Sequence, residues 1–93
     1  MEIRFSLAAW EQYTAWQGED KKTIKRINEL LKDIVRGNPF DGIGKPEPLK
    51  GNLSGFWSRR IDECNRLVYR IQGENGDICE IAQCKGHYGG LGK

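Results

Sequence analysis

Between Asp20 and Gly37 the apolar residues Ile24, Ile27, Leu30, Leu31, Ile34 and Val35 recur at the 3.6-residue period of an α-helix. A stripe of that kind must be laid against another apolar surface, and the same chain provides one. Residues 56–61 and 66–71 are β-prone runs joined by a turn at 62–65, and residues 77–84 read as a last strand after the Asn75-Gly76 turn signal. A chain of 93 residues holds one such core and is too short for a second.

The ends of these elements are marked as well. Residues 2–6 alternate polar and apolar and read as a short strand, and Ser6 is placed to cap the helix that follows. On that helix Trp10, Tyr13 and Trp16 fall at i, i+3 and i+6, an aromatic stripe read as core, with Gly18 as its stop. Asp20 caps the second helix, which runs to about Arg36 and carries Lys21, Lys22, Lys25, Arg26 and Lys32 on its other side, read as a solvated face, with contact to a polyanion as the sharper alternative. Gly37, Asn38 and Pro39 end it, glycine by tolerating positive φ and proline by being unable to continue the ladder. Residues 37–55 then hold all three prolines and read as a long irregular connection, of the kind that is usually functional. The expected fold is α+β in the order β-α-α-β-β-β, with two N-terminal helices packed on one face of an antiparallel sheet. Residues 1–88 form the domain and the glycine-rich residues 89–93 a flexible tail.

No apolar run approaches the roughly 20 residues of a membrane span, and the N-terminus has no signal-like apolar stretch. Cys64, Cys79 and Cys84 cannot all pair, and with a single histidine and no C-x-x-C no zinc site is expected. The expectation is a reduced, cytoplasmic protein without cofactor or metal.

Alternation along the strands sorts the charged residues. Phe56, Ser58 and Arg60 share one face of their strand, with Trp57, Arg59 and Ile61 on the other. On the next strand Leu67, Tyr69 and Ile71 oppose Arg66, Val68 and Arg70. Burying Trp57 and Ile61 with Leu67, Tyr69 and Ile71 under the helices brings Arg60, Arg66 and Arg70 out together on the uncovered face. Residues 45–70 carry Lys45, Lys50, Arg59, Arg60, Arg66 and Arg70 against Glu47, Asp62 and Glu63, a local net charge of +3 in a chain of formal charge +2. Guanidinium groups offer planar, bidentate donors that suit phosphate, although edge decoration is the plainer alternative. Gly44-Lys45 does not make a phosphate-binding P-loop, because Pro46 follows the lysine and no strand precedes it. The prolines at 46 and 48 instead hold Glu47 in a stiff, extended segment.

Metal-free RNA cleavage needs a base for the 2′-hydroxyl, cations for the crowded phosphorus and an acid for the leaving 5′-oxygen. Glu47, the lysine and arginine set, and His87 beside Tyr88 meet those needs by type, although a lone histidine is commonly structural or exposed.

Several longer strings resemble the YoeB/Txe toxins of the RelE/ParE superfamily of bacterial toxin–antitoxin systems. They are Gly44-Lys45-Pro46-Glu47-Pro48-Leu49-Lys50, Asn52-Leu53-Ser54-Gly55-Phe56-Trp57-Ser58-Arg59-Arg60-Ile61, Arg66-Leu67-Val68-Tyr69 and His87-Tyr88. The resemblance spans residues 1–88. It implies a ribosome-dependent endoribonuclease that cuts mRNA in the A site of the 30S subunit, against 16S rRNA, and so arrests translation. It implies Glu47 as general base, His87 as general acid, Lys50 and Arg66 as transition-state cations, and Tyr88 as a positioner of substrate. Arg60, with Lys45 and Arg59, is implied in substrate binding. A YefM-like antitoxin and a homodimer are the implied protein partners. A ParE-like gyrase inhibitor and a non-catalytic RNA-binding module are the competing readings; the Glu47, Arg66 and His87 set favours the nuclease.

Overall fold

The computed structural model describes residues 1–87. Tyr88 and the 89–93 tail lie outside the described residues. Strand β1 (Glu2–Phe5) leads into α1 (Leu7–Glu19) and α2 (Lys21–Arg36), followed by β2 (Glu47–Pro48), a 3-10 turn (Gly51–Leu53), β3 (Trp57–Arg60), β4 (Arg66–Gln72) and β5 (Ile78–Gln83). The sheet runs β1-β5-β4-β3-β2, and the helices cover one face of it. The α+β architecture with two helices on one sheet face is thus as expected.

Four details differ from the sequence reading, each for a physical reason. The connection after α2 is not wholly irregular, because Glu47 and Pro48 pair antiparallel with Ser58 and Trp57 and add a fifth strand. Proline suits that place, since β2 is an edge strand. The sheet is mixed rather than antiparallel: β2 starts the meander antiparallel to β1, and three further reversals bring β5 back to the direction of β1, so the two pair parallel. Gly18 does not stop α1, which continues to Glu19; Asp20 ends it and caps α2, its carboxylate accepting from the Lys22 and Thr23 amides (3.0 and 3.2 Å). Gly37 has φ −109°, so it does not use glycine's positive-φ freedom; a β-carbon there would stand 3.0 Å from the Asp33 carbonyl oxygen.

Ser6 caps α1 as expected, its hydroxyl accepting from the Ala9 amide (3.1 Å). The core gathers Ala9, Trp16, Ile27, Leu30, Leu31, Ile34, Ile61, Leu67, Tyr69, Cys79, Ile81 and Cys84. Trp16 anchors α1 to the end of β5 by donating from Nε1 to the Cys84 carbonyl (2.9 Å). The aromatic stripe splits along its length. A spacing of three drifts off a 3.6-residue face, so Trp10 is exposed, Tyr13 is half-buried and only Trp16 enters the core. Trp57 also stands at the core's margin, half-buried against Phe40 with ring centroids 4.8 Å apart.

Candidate active site

Strand alternation builds most of the site. Glu47 lies opposite Ser58, and Arg60 lies opposite Arg66, so these side chains project from the open face of the sheet. Between β4 and β5, Val68 pairs with Gln83 but Tyr69 with Ile81, so β5 carries one extra residue at Ala82. That bulge turns Gln83 towards the open face and sends the chain on towards the cleft.

His87 arrives through a series of tethers. The Cys84 amide donates to Gln12 Oε1 (2.8 Å). The Gly86 amide donates to Asn65 Oδ1 (2.7 Å), and its carbonyl accepts from the Arg66 amide (3.0 Å). The 62–65 turn is itself locked by Asp62, whose carboxylate accepts from the Cys64 and Asn65 amides (2.8 and 2.7 Å) and from the Asn65 side chain. Burial opposes ionisation of Asp62, but these hydrogen bonds outweigh it and hold the carboxyl below its usual range. Sequence positions 47, 58, 60, 66 and 87 thereby meet.

The result is a cleft of about 80 Å³ lined by Lys45, Glu47, Ser58, Arg60, Arg66 and His87. Drug-sized ligands need roughly 300–1,000 Å³, so a single phosphate linkage suits this space better than a whole nucleotide. A roomier groove of about 440 Å³, bounded by Glu29, Lys32, Asp33, Arg36, Gly37 and Ile43, gathers no comparable set of carboxylate, imidazole and cations. Arg60 and Arg66 face each other as like charges across two strands, an arrangement that costs stability and suits an anion. Arg66 is aimed by the turn, its Nη1 donating to the Asp62 and Asn65 carbonyls (2.6 and 3.1 Å). Lys45 has φ 55° and is the one described non-glycine residue with positive φ. Backbone strain of this kind concentrates at functional sites.

The structure does not bring every expected cation to this place. Arg59 is the main correction: it is fully buried beneath the sheet, held by Asp33 (2.5 Å), the Tyr69 hydroxyl and four loop carbonyls, and offers nothing to a substrate. Its place on the Trp57 and Ile61 face was legible from alternation, and its charge pointed the other way. Arg70 is on the open face but is bound to Glu80 (2.8 Å) and stacked over Phe56 (4.9 Å), away from the cleft lining. Lys50 is exposed and does not line the cleft. Val68, expected on an uncovered face, is fully buried there. Ser58, which the sequence reading did not single out, lines the cleft opposite Glu47; the proline-flanked Glu47 pairing with the Phe-Trp-Ser run would have been its signal.

Among the described residues no cluster of His, Cys, Asp and Glu could hold a metal ion, and no helix is long and apolar enough to cross a membrane.

Comparison with known proteins points the same way as the fold. The family described as "YoeB-like toxin of bacterial type II toxin-antitoxin system" matches residues 5–88. Toxin YoeB of Escherichia coli K12 is 53% identical over 88 residues, covering 95% of this chain and all of that protein. The YoeB/ParE toxin from Agrobacterium tumefaciens superposes with a TM-score of 0.90 at 44% identity, covering 95% of this chain and 100% of the other. YoeB from Staphylococcus aureus, solved as a heterotetrameric complex with YefM and as a dimer, superposes with a TM-score of 0.85 at 50% identity, covering 95% of this chain and 98% of its own. This chain therefore belongs to the YoeB family of toxins from bacterial type II toxin–antitoxin systems.

Proposed function

We propose that this toxin is a ribosome-dependent endoribonuclease that cleaves mRNA in the 30S A site and so stops translation. The observation that carries the reading is the meeting of Glu47, Arg60, Arg66 and His87 in one phosphate-sized cleft. Glu47 takes the proton from a ribose 2′-hydroxyl, and the freed oxygen attacks the adjacent phosphorus. Arg66 and Lys50 stabilise the negative charge that builds on the phosphoryl oxygens, Lys50 from the rim. Arg60 and Lys45 hold the phosphate. The P–O5′ bond breaks as His87 hands its proton to the leaving oxygen, giving a 2′,3′-cyclic phosphate and a 5′-hydroxyl. Tyr88, adjoining His87 in the chain, is assigned to substrate positioning. No metal takes part in this scheme.

The cleft is small, and a polymer lies mostly outside it, so mRNA and 16S rRNA complete the surroundings that the isolated chain lacks. A YefM-like antitoxin is the proposed inhibitor and a homodimer the proposed free form, by similarity to the Staphylococcus aureus protein solved in both states. The working place is the cytoplasm, where translating ribosomes are found.

In-vitro translation with end-mapping of the message tests this. Cuts at A-site codons that vanish in His87→Ala and Glu47→Ala support the nuclease. Translation that survives while DNA supercoiling stops would make the protein a gyrase inhibitor. Cleavage of naked RNA as fast as of ribosome-bound mRNA would remove the ribosome from the mechanism.

A further inference from the structure

The loop from Asn38 to Gly44 has no regular structure, yet the carbonyls of Asn38, Pro39, Asp41 and Ile43 turn inwards, where each needs a donor. One side chain reaches all four. Arg59 Nη2 donates to the carbonyls of Asn38 (3.0 Å), Pro39 (3.3 Å) and Asp41 (3.2 Å), and Nη1 to that of Ile43 (3.1 Å). Its Nε donates to the Tyr69 hydroxyl (3.0 Å), which donates in turn to Pro39 (2.6 Å). Asp33, on α2, accepts from Arg59 Nη1 and from the Ile43 amide (3.1 Å). No described buried side-chain nitrogen or oxygen is left unpartnered.

The loop fits around this hub without slack. A β-carbon at Gly42 (φ 137°) would stand 2.0 Å from the Asp33 carboxylate, and one at Gly44 (φ 80°) would stand 2.6 Å from Leu30. Beyond the hub the Gly44 carbonyl accepts from the Arg60 amide (2.7 Å), Lys45 takes its positive φ, and Glu47 pairs with Ser58. Three successive residues of β3 therefore control one loop: Ser58 pairs with its far end, Arg59 holds its middle from below, and Arg60 fastens the join.

We propose that Arg59, with Asp33 and Tyr69, forms a positioning device that sets where Lys45 and Glu47 stand in the cleft. Arg59 touches no substrate; it acts through the loop. The proposal rests on the nuclease reading for its catalytic consequence and stands apart from it for its structural one. A guanidinium is suited to the task because it presents five donors in a rigid fork, which an ammonium cannot reproduce.

The test uses the full chain with Asp33→Asn, Tyr69→Phe and Arg59→Lys, read in two ways. Hydrogen exchange compares amides of residues 40–47 with those of β4 and β5; cleavage on programmed ribosomes separates kcat from KM. Tyr69→Phe and Asp33→Asn are expected to speed exchange in the loop alone and to lower kcat about 10-fold to 100-fold at nearly constant KM, as small misplacements of catalytic groups do. Arg59→Lys goes further in the same direction if it folds, and the other two variants decide the matter if it does not. Unchanged loop exchange with unchanged kcat would overturn the proposal. So would loss of protection throughout the sheet, which would make the hub a general stability element. If the unaltered chain cuts no mRNA, the nuclease reading fails and the exchange result alone decides the inference.

Discussion

Arg59 and Arg60 are neighbours in the chain and opposites in every physical respect. Beneath the sheet, Arg59 is fully buried and fully partnered, with a carboxylate nearby and carbonyls filling its remaining donor directions. Above it, Arg60 is exposed, faces the like charge of Arg66 and borders a cleft. The lower face spends its charge on shape, and the upper face keeps its charge for a ligand. One strand thus shows that the same side chain can order a loop or bind an anion, depending on which way the pleat turns it.

The difference can be broken in descending order of effect. Glu47→Ala and His87→Ala should each lower mRNA cleavage by about 10²–10⁴. Both side chains are exposed, so the thermal midpoint should hardly move. A large drop in that midpoint would make the open face structural.

On the covered face, tryptophans should lose stability in order of burial. Trp16→Ala should cost roughly 3–5 kcal/mol, because it empties a core site and leaves the Cys84 carbonyl without its donor. Half-buried Trp57 should cost about 1–3 kcal/mol and exposed Trp10 less than about 1 kcal/mol. Urea melts of the three variants check the ranking, and an inverted order would mean that α1 is seated differently.

Arg60→Ala sharpens the contrast further. Removing one of two facing cations should raise stability by about 0.2–1 kcal/mol while cleavage falls, which paired melts and end-mapping would reveal. If stability falls instead, Arg60 is held by the fold and not reserved for a ligand.

Acid distinguishes the two faces as well. The hydrogen bond from Arg59, ahead of burial in the other direction, holds the Asp33 carboxyl below its ordinary value of 3.8. A lowered folded-state value contributes stability that is complete above the unfolded value and is lost as pH falls through the folded one. Unfolding midpoints followed downward from about pH 5 should therefore drop, and Asp33→Asn should flatten that limb. An unchanged acid limb in the variant would show that Asp33 is not a source of it.

Thiol labelling gives the smallest effect. Burial pushes the Cys79 thiol up to about 11 and Cys84 to about 12, whereas Cys64 is exposed. At neutral pH mass spectrometry of the alkylated native protein should find Cys64 modified, and Cys79 and Cys84 only after unfolding.

Much of this was legible beforehand. The stripe on α2, the Ser6 and Asp20 caps and the β3–β4 hairpin are written in local spacing, and they stand where the spacing put them. Glu47, Arg60, Arg66 and His87 were also picked out by type, and they meet in one cleft. The misreadings share a cause. Trp10 looked like core until the drift of its helix turned it outwards, and β1 looked like part of an antiparallel sheet until its neighbour proved to be the last strand. Arg59 had the parity of a buried residue and the charge of a surface one, and nothing nearby in sequence names Asp33, Tyr69 and the loop carbonyls as its partners.

What the chain alone determined is therefore whatever depends on neighbours a few residues apart: helical and strand periods, caps, turns, and the chemical types available for catalysis. Tertiary structure decided which distant residues share a space, and hence whether a charge is an anchor or a binding group. The reason is that a hydrogen-bonded turn closes within one segment, whereas the cost of burying a guanidinium depends on acceptors delivered from elsewhere in the chain.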